Sequence, residues 1–297
     1  MAIFAACGST TTNVVVVPGD DGGSGDDDGG SSGTPPPSNP DGGANPPPDV
    51  TTTKGSMSFN GTTRTYVLAV PVDYSMTKSY PLVVDLHGDG GTGSQMQTDW
   101  PVESATHRDA IIVYPDGIGR TWDLYDTGSM NPDMPWIKAL IDDLATKYSI
   151  DKTRVLGSGY SKGAFFVNEM ACNYPGVFKA IAVYEGGAPD EEFNAAATKD
   201  GQGYWTCPNE QPVAAFVFQG ASDGTVTPDS GNFDAMYWAH INGCGDSLSS
   251  TTPSPCQQYD GCPAGKRVTY CLVPGLNHVV WYPQGRAAAW SYFTALP

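Results

Sequence analysis

The sequence has few positive charges, and its first fifty residues have none. Lysine and arginine number 15 against 32 aspartates and glutamates, and the net charge of −17 divides into −7 for residues 1–50 and −10 for the remainder. Nucleic-acid binding needs clustered lysine and arginine to neutralise phosphates. The charge balance therefore argues against a nucleic-acid partner.

The sequence also lacks an apolar run long enough to cross a bilayer. Residues 1–50 are dominated by glycine, proline, serine, threonine and aspartate, and such a segment buries too little apolar surface to offset its chain entropy. We therefore expect a disordered leader and linker over residues 1–50. Residues 51–297 have the aliphatic and aromatic content of a globular domain, so we expect one catalytic domain there.

One cysteine stands apart in the leader. Cys7 follows a short apolar run that ends in Ala5 and Ala6, which resembles the lipobox of bacterial lipoproteins. This resemblance predicts lipid attachment at Cys7 and an exported protein, either secreted or tethered to the cell surface or outer membrane. A chance apolar amino terminus is the alternative.

The other six cysteines lie in the second half of the chain. An even number predicts three disulfides and an oxidising compartment, although the sequence leaves fifteen connectivities open. A zinc site is the alternative, but the spacings do not match paired C-x2-C motifs, so we predict no metal. The six are Cys172, Cys207, Cys244, Cys256, Cys262 and Cys271.

Predicted strands alternate with predicted helices along the globular part. Asn60-Gly61 between two apolar segments is a strong hairpin signal, and later apolar runs have the continuity of strands buried on both faces. This alternation predicts an α/β fold with a mostly parallel sheet flanked by helices. The predicted strands are 56–59, 64–70, 82–86, 110–114, 154–157, 180–184, 213–219 and 267–273; the predicted helices are 135–148, about 161–173 and 284–295.

A glycine-flanked serine lies between one such strand and the helix that follows it. Residues 159–163 read Gly-Tyr-Ser-Lys-Gly, and a G-x-S-x-G turn from strand to helix is the nucleophile elbow of α/β-hydrolases. The glycines are needed because this turn is strained and tightly packed. We therefore predict that Ser161 is a nucleophile.

A serine hydroxyl needs a base to remove its proton. The chain has four histidines, and in the order nucleophile, acid, histidine the base must follow Ser161. His87 and His107 precede it. His240 lies in a predicted helix, where we expect it to pack against the core or to be exposed at the surface. His278 follows the last predicted strand, at the carboxyl edge of the sheet, where the functional sites of parallel sheets lie. We predict His278 as the base.

The acid that orients the histidine is expected after the penultimate strand. Asp223 is the first carboxylate past the strand at 213–219 and is our prediction. Asp229 is the competitor, and either residue can instead be an ordinary turn aspartate.

The oxyanion of the reaction needs two amide donors. The first predicted donor is the N–H of Lys162, at the positive end of the helix after the serine. The second is the N–H of Asp89, in the turn after the strand at 82–86, which makes His87 a turn residue. Because a carboxylate aimed at the oxyanion would oppose catalysis, the Asp89 side chain must point away, or Gly90 is the donor.

Three aromatic residues lie in or beside the predicted site loops. Trp281, Trp122 and Tyr160 are predicted to contact the substrate by stacking on a sugar or a phenolic acyl group. Core or rim packing is the alternative, because aromatic side chains bury large areas anywhere in a protein.

Several motifs together resemble one family of extracellular esterases. The family contains feruloyl esterases, acetylxylan esterases and poly(3-hydroxybutyrate) depolymerases, and the resemblance covers about residues 55–296. It implies an α/β-hydrolase fold, ester hydrolysis without a cofactor, and a disulfide between Cys172 and Cys207. The motifs are Leu86-His87-Gly88-Asp89-Gly90-Gly91, Val113-Tyr114-Pro115-Asp116-Gly117, Asp151-Lys152-Thr153-Arg154-Val155, Met170-Ala171-Cys172 with Tyr174-Pro175, and Asn277-His278 with Trp281.

The sequence thus predicts an extracellular serine carboxylesterase that works through an acyl-enzyme. By resemblance, the expected substrates are feruloyl or acetyl esters of plant cell walls, and a polyester such as polyhydroxybutyrate is the alternative. Two functions of other classes stay open at this point: a serine peptidase, which uses the same triad on an amide, and a non-catalytic binding module on the same scaffold.

Overall fold

The computed structural model describes residues 49–125, 130–189, 198–207 and 211–297. Most of the predicted linker, and Cys7 with it, lies outside the described residues. Among the residues described, no helix has the length and apolar character needed to cross a membrane.

Within these residues, ten strands form one sheet in the order β1-β2-β4-β3-β5-β6-β7-β10-β9-β8. The strands are β1 (Val50–Phe59), β2 (Thr62–Pro71), β3 (Tyr80–Leu86), β4 (Ile111–Pro115), β5 (Ile150–Tyr160), β6 (Ala180–Tyr184), β7 (Ala214–Gly220), β8 (Leu248–Ser250), β9 (Gln257–Tyr259) and β10 (Val268–Val273). The helices are α1 (Gly93–Asp99), α2 (Glu103–Thr106), α3 (Met134–Lys147), α4 (Lys162–Asn173), α5 (Pro228–Asn242) and α6 (Gln284–Thr294).

The centre of the sheet is parallel. Strands β4, β3, β5, β6, β7 and β10 pair in parallel, whereas the edge strands β1, β2, β8 and β9 pair antiparallel. Every residue of β3, β4, β6 and β7 is buried, as expected of strands covered on both faces. Parallel pairing brings the carboxyl ends of the central strands to one edge, where loops can combine residues that are distant in sequence.

Helices cover both faces of this sheet. One apolar cluster joins its first face to α3, α4 and α5 through residues such as Trp136, Phe166 and Trp238. A second cluster joins the other face to α1 and α6 through residues such as Met96 and Phe293. The predicted mostly parallel sheet with flanking helices is therefore confirmed.

A buried ion pair ties the last helix to the middle of the sheet. The Arg286 guanidinium of α6 donates to both carboxylate oxygens of Asp85 in β3, at 3.0 and 2.8 Å, and to the Ser158 hydroxyl in β5 at 3.0 Å. Both charged side chains are almost completely buried. Because Asp85 lies two residues before His87, this pair anchors the strand end that carries the predicted oxyanion turn.

The six cysteines of the domain form three disulfides in the structure. Cys172 pairs with Cys207, Cys244 with Cys262, and Cys256 with Cys271. The first of these is the pairing that the resemblance implied. It joins the end of α4 to the segment before β7, whereas the other two lie around the antiparallel strands at the β8 edge.

Candidate active site

Ser161 lies on a sharp turn between β5 and α4. Its backbone has φ 53° and ψ −123°, a conformation that a residue with a side chain adopts only at a cost of about 1–3 kcal/mol. Its amide donates to the carbonyl of Tyr184 in β6 at 2.9 Å, and its carbonyl accepts the first helical amides of α4. The turn is thus held by hydrogen bonds on both sides.

Two glycines make this turn sterically possible. A Cβ atom on Gly159 would lie 2.4 Å from the carbonyl oxygen of Gly163, and one on Gly163 would lie 2.5 Å from the carbonyl oxygens of Leu86 and His87. Both distances are far below van der Waals contact. The glycines of the G-x-S-x-G motif therefore let α4 begin directly against the end of β3.

The structure brings together the three residues that the sequence selected for a catalytic triad. Nε2 of His278, in the loop after β10, lies 2.9 Å from Oγ of Ser161, and Nδ1 of the same ring lies 2.7 Å from Oδ2 of Asp223, in the loop after β7. The residues are 55 and 117 positions apart in sequence from His278. Parallel pairing of β5, β7 and β10 in the sheet is what makes them neighbours.

Asp223 lies in a pocket of hydrogen-bond donors. Its Oδ1 accepts from the amides of Thr225 at 2.8 Å and Val226 at 3.0 Å, and its Oδ2 accepts from Gln219 Nε2 at 3.3 Å in addition to His278. Burial raises the pKa of Asp223, but the hydrogen bonds from His278 and the amides outweigh burial and hold the pKa below its ordinary value. Asp223 is therefore a carboxylate at neutral pH, as an acid that orients an imidazolium must be.

The competing residues lie elsewhere. Asp229 is exposed in the first turn of α5. His240, near the end of α5, pairs with Asp200 at 2.6 Å and stacks on Tyr204, and His107 pairs with Asp49 at the surface. None of these residues has a described contact with Ser161.

The predicted oxyanion turn lies directly beside the nucleophile. A Cβ on Gly88 would lie 3.2 Å from Cβ of Ser161, so the turn and the serine are in contact. Within the turn, the Gly91 amide already donates to the Gly88 carbonyl at 3.1 Å, which leaves the Asp89 and Gly90 amides as the candidate donors. The amide of Lys162 is in the first turn of α4, where helical amides have no intrahelical partner.

Two side chains hold this turn from behind. His87 Nε2 accepts from the amide of Gly117 at 3.0 Å, so its Nδ1 carries the proton and donates to the Gly88 carbonyl at 2.7 Å. Burial lowers the pKa of His87 and keeps the ring neutral. Trp122 donates through Nε1 to the His87 carbonyl at 2.8 Å.

The role predicted for Trp122 is wrong. Its side chain is 1% exposed and packs between His87 and Phe166, so the ring cannot stack on a substrate. The packing alternative describes it better: Trp122 supports the turn that carries the candidate oxyanion donors.

The carboxylate of Asp89 contacts two other side chains. It accepts a short hydrogen bond from the Thr121 hydroxyl, and Oδ1 lies 3.5 Å from Nζ of Lys162. The Thr121 hydrogen bond is the main reason that the pKa of Asp89 is lowered. A side chain engaged in this way does not oppose an oxyanion held by the backbone.

A small cavity lies against the 87–91 turn and Tyr160, the residue before Ser161. Its volume is about 190 Å³ and its walls include the 87–91 turn together with Met96, Trp100 and Tyr160. The Tyr160 ring lies 5.0 Å from the Trp100 ring and 5.1 Å from the His278 ring, and its hydroxyl donates to the His278 carbonyl at 2.8 Å. The third predicted aromatic, Trp281, is half-buried and contacts Phe218.

A buried glutamate that the sequence reasoning missed lies against the triad. Glu185 follows β6, is completely buried, and accepts from the Gly220 amide through Oε2 at 2.8 Å. A carboxyl oxygen of Glu185, a carboxylate oxygen of Asp223 and a ring nitrogen of His278 all lie within 4.8 Å of one another. No sequence motif marks Glu185; its only signal is its place at the carboxyl end of a central strand.

Comparison with known proteins shows that the chain is similar to esterases. No protein-family model matches the chain. The chain is 26% identical to a probable feruloyl esterase C from Aspergillus terreus over 82% of its own length and 88% of the relative's. It is 24% identical to feruloyl esterase B from Piromyces equi over 72% of its length, but spans only 42% of that protein.

Solved structures give the same picture of the fold. An acetyl xylan esterase from Aspergillus awamori superposes with a TM-score of 0.63 at 19% identity, covering 81% of this chain and 99% of that one. A feruloyl esterase module from Clostridium thermocellum superposes with a TM-score of 0.56 at 12% identity, covering 85% and 90%. These findings confirm the α/β-hydrolase fold and the resemblance to feruloyl and acetylxylan esterases.

Proposed function

We propose that this protein is a serine carboxylic ester hydrolase that works through an acyl-enzyme formed on Ser161. The observation that carries the proposal is the continuous hydrogen-bond chain from Ser161 Oγ through His278 to Asp223, at 2.9 and 2.7 Å, on a strained strand-to-helix turn. Nucleophile, base and orienting acid are the three parts that activate a serine hydroxyl.

In the proposed reaction, Ser161 Oγ attacks the ester carbonyl carbon while His278 Nε2 takes the hydroxyl proton. The amides of Lys162 and Asp89 stabilise the resulting oxyanion. The bond to the alcohol then breaks as His278 returns the proton to the leaving oxygen. Water, deprotonated by His278, attacks the acyl carbon and releases the acid, and Ser161 regains its proton.

Feruloyl or acetyl esters of plant cell walls are the substrates that we propose. The two curated relatives described above are named feruloyl esterases, and a superposed structure is named an acetyl xylan esterase. The aromatic walls of the cavity, Trp100 and Tyr160, suit a planar phenolic acyl group, because aromatic rings favour offset stacking or edge contacts.

A polyester is the second candidate substrate. The chain is 27% identical to poly(3-hydroxyalkanoate) depolymerase C from Paucimonas lemoignei over 197 residues, which is 58% of this chain and 47% of that protein. The same triad would cleave either kind of ester, so the choice between them depends on the surface that binds the polymer.

The test is a substrate panel with purified protein. Methyl ferulate, acetylated xylan, polyhydroxybutyrate and a peptide anilide are compared, with Ser161→Ala as the matched control for each. We expect turnover of methyl ferulate or acetylated xylan that Ser161→Ala abolishes. Amide turnover above ester turnover would favour a peptidase, and a folded wild type that turns over no ester would favour a binding module; either result would overturn the proposal.

We further propose that residues 51–297 are the catalytic domain of an exported protein. Three disulfides within this domain support an oxidising compartment. Lipid attachment at Cys7 remains a prediction. Mass spectrometry of the protein purified from a bacterial membrane fraction, compared with Cys7→Ser, would detect the acyl groups that lipidation adds.

A further inference from the structure

Glu185 is fixed in an unusual backbone conformation next to the candidate triad. It directly follows β6, its φ is 55°, and its amide donates to the carbonyl of Phe218 in β7 at 3.0 Å. Few residues other than glycine, asparagine and aspartate adopt this region, because a side chain crowds the backbone there. From this position the Glu185 carboxyl group accepts from the Gly220 amide at the end of β7, and one of its oxygens lies within 4.8 Å of an Asp223 oxygen.

The two oxygens of the Glu185 carboxyl group have different surroundings. Oε2 accepts from the Gly220 amide at 2.8 Å. Oε1 is buried and has no hydrogen-bond partner among the described residues. A buried carboxylate oxygen without a donor is costly, whereas a protonated oxygen needs only an acceptor nearby.

The acceptor nearby is Asp223. One oxygen of Glu185 and one oxygen of Asp223 lie within 4.8 Å of each other. Two ionised carboxylates at this distance in a buried site would repel each other strongly. Asp223 receives four donors, including His278, and Glu185 receives one. The proton shared by such a pair therefore belongs to Glu185.

The geometry points to Glu185 as a positioning residue: it remains a neutral acid while the enzyme works, and its O–H faces Asp223 and holds that carboxylate in line with His278. This inference rests on the proposed ester hydrolase function. With Glu185 neutral, Asp223 carries the one negative charge of the carboxyl pair. This charge balances the single positive charge that His278 gains when it takes the proton from Ser161.

The titration of Glu185 agrees with this assignment. Burial is the main reason that the pKa of Glu185 is raised to about 9. The hydrogen bond from the Gly220 amide lowers the pKa, but a side-chain hydrogen bond with Asp223 and the repulsion of the Asp223 charge raise it further. The titratable groups that face it are Asp223 and His278 in the loops, Tyr160 in β5 and Tyr270 in β10. The pKa values of both tyrosines are raised, so neither phenol ionises before Glu185.

The test compares Glu185→Gln with Glu185→Ala on an activated ester such as p-nitrophenyl acetate. Glutamine is neutral and keeps a donor, so we expect kcat within about threefold of wild type, whereas alanine removes the donor and lowers kcat tenfold or more. An alanine variant with wild-type kcat would overturn the inference. Thermal unfolding of both variants separates misfolding from mispositioning.

The pH profile tests the charge directly. Because Glu185 is neutral below pH 9, Glu185→Gln must leave the acidic limb of kcat/KM unchanged; removal of an ionised neighbour would move that limb down by about one unit or more. Above pH 9 wild-type activity should fall as Glu185 ionises beside Asp223, and the Gln variant should keep its plateau. A shifted acidic limb in Glu185→Gln, or a fall in activity above pH 9 that wild type and this variant share, would show that Glu185 is not the neutral acid that we propose.

A matched control is Glu169→Gln, which makes the same substitution at a buried glutamate of α4, two helical turns from Ser161. It should leave both limbs in place. Failure of the proposed function is recognised separately: wild type itself would then show no Ser161-dependent turnover. Wild-type turnover with a shifted acidic limb in Glu185→Gln would overturn only the role of Glu185.

Discussion

Of the histidine–aspartate pairs in the described part of the chain, two have nearly equal distances, and we propose a catalytic role for only one of them. His278 and Asp223 are 2.7 Å apart at the carboxyl edge of the sheet, and His240 and Asp200 are 2.6 Å apart on the surface beside α5. The distances are almost equal. The surroundings differ: the Asp223 side chain is 0% exposed, whereas that of Asp200 is 23% exposed.

The difference shows that a short contact does not define a site. The second ring nitrogen of His278 meets a serine held on a strained turn, and its aspartate is fixed by backbone amides. The ring of His240 instead stacks on Tyr204. A surface pair of this kind contributes little because solvent and salt screen it, whereas a buried pair with a nucleophile can move a proton.

The largest expected effect separates the two histidines. Ser161→Ala and His278→Ala should each lower kcat by about 10⁴-fold or more, because each removes a part of one proton-transfer unit. His240→Ala should stay within about twofold of wild type because its ring does not reach the reacting atoms. Steady-state kinetics on p-nitrophenyl acetate measure kcat for all three variants. A large loss of kcat in His240→Ala would show that the two histidines do not differ in the way we propose.

The two aspartates give the next largest effect. Asp223→Asn keeps the shape but no longer fixes the imidazole tautomer, so kcat should fall by about 10³- to 10⁴-fold. Asp200→Asn should leave kcat unchanged. Kinetics of the two variants at pH 7 decide the matter, and equal effects would mean that the sheet-edge pair has no special role.

A smaller effect concerns stability and pH. The pKa values of Asp223 and Asp200 are both lowered from 3.8 in the folded protein, so each contributes stability above pH 3.8 that is lost as pH falls through the folded value. High salt should screen only the exposed pair. In urea unfolding at pH 6, we expect both variants to have a lower free energy of unfolding than wild type. Addition of 1 M NaCl should remove this difference for Asp200→Asn and leave it for Asp223→Asn. If salt removed the difference for both variants, burial would not protect the Asp223 pair from screening.

The smallest effect is expected at Asp89. Its carboxylate lies in the turn beside the nucleophile, but it is engaged by the side chains of Thr121 and Lys162. Asp89→Asn should change kcat/KM by less than about threefold, in keeping with a weak exposed ion pair. A rise of tenfold or more would show that the carboxylate opposes the oxyanion after all.

The sequence was sufficient for the eight longer strands of the sheet and for the choice of the three side chains that the structure brings together. Continuous apolar runs identify strands buried on both faces, such as β3 and β4, and the Asn60-Gly61 turn defines the first hairpin. Chain order excludes His87 and His107, and the position of His278 after the last predicted strand then favours it over His240, which lies in a predicted helix. The short strands β8 and β9 were missed because three residues carry no periodicity.

Other parts of the site could not be found in the sequence because they depend on packing between distant segments. Arg286 and Asp85 are 201 residues apart, and Glu185 resembles an ordinary residue at the end of a strand. Trp122 was assigned to the substrate because aromatic residues suit both ligands and cores, and only its 1% exposure decides between them.

The most direct test of the central claim is covalent labelling by a fluorophosphonate, followed by intact-protein and peptide mass spectrometry. We expect one label per chain, on Ser161, formed at the wild-type rate in His240→Ala and at least about 10³-fold more slowly in His278→Ala. Labelling of another residue, or equal rates in both histidine variants, would contradict the central claim.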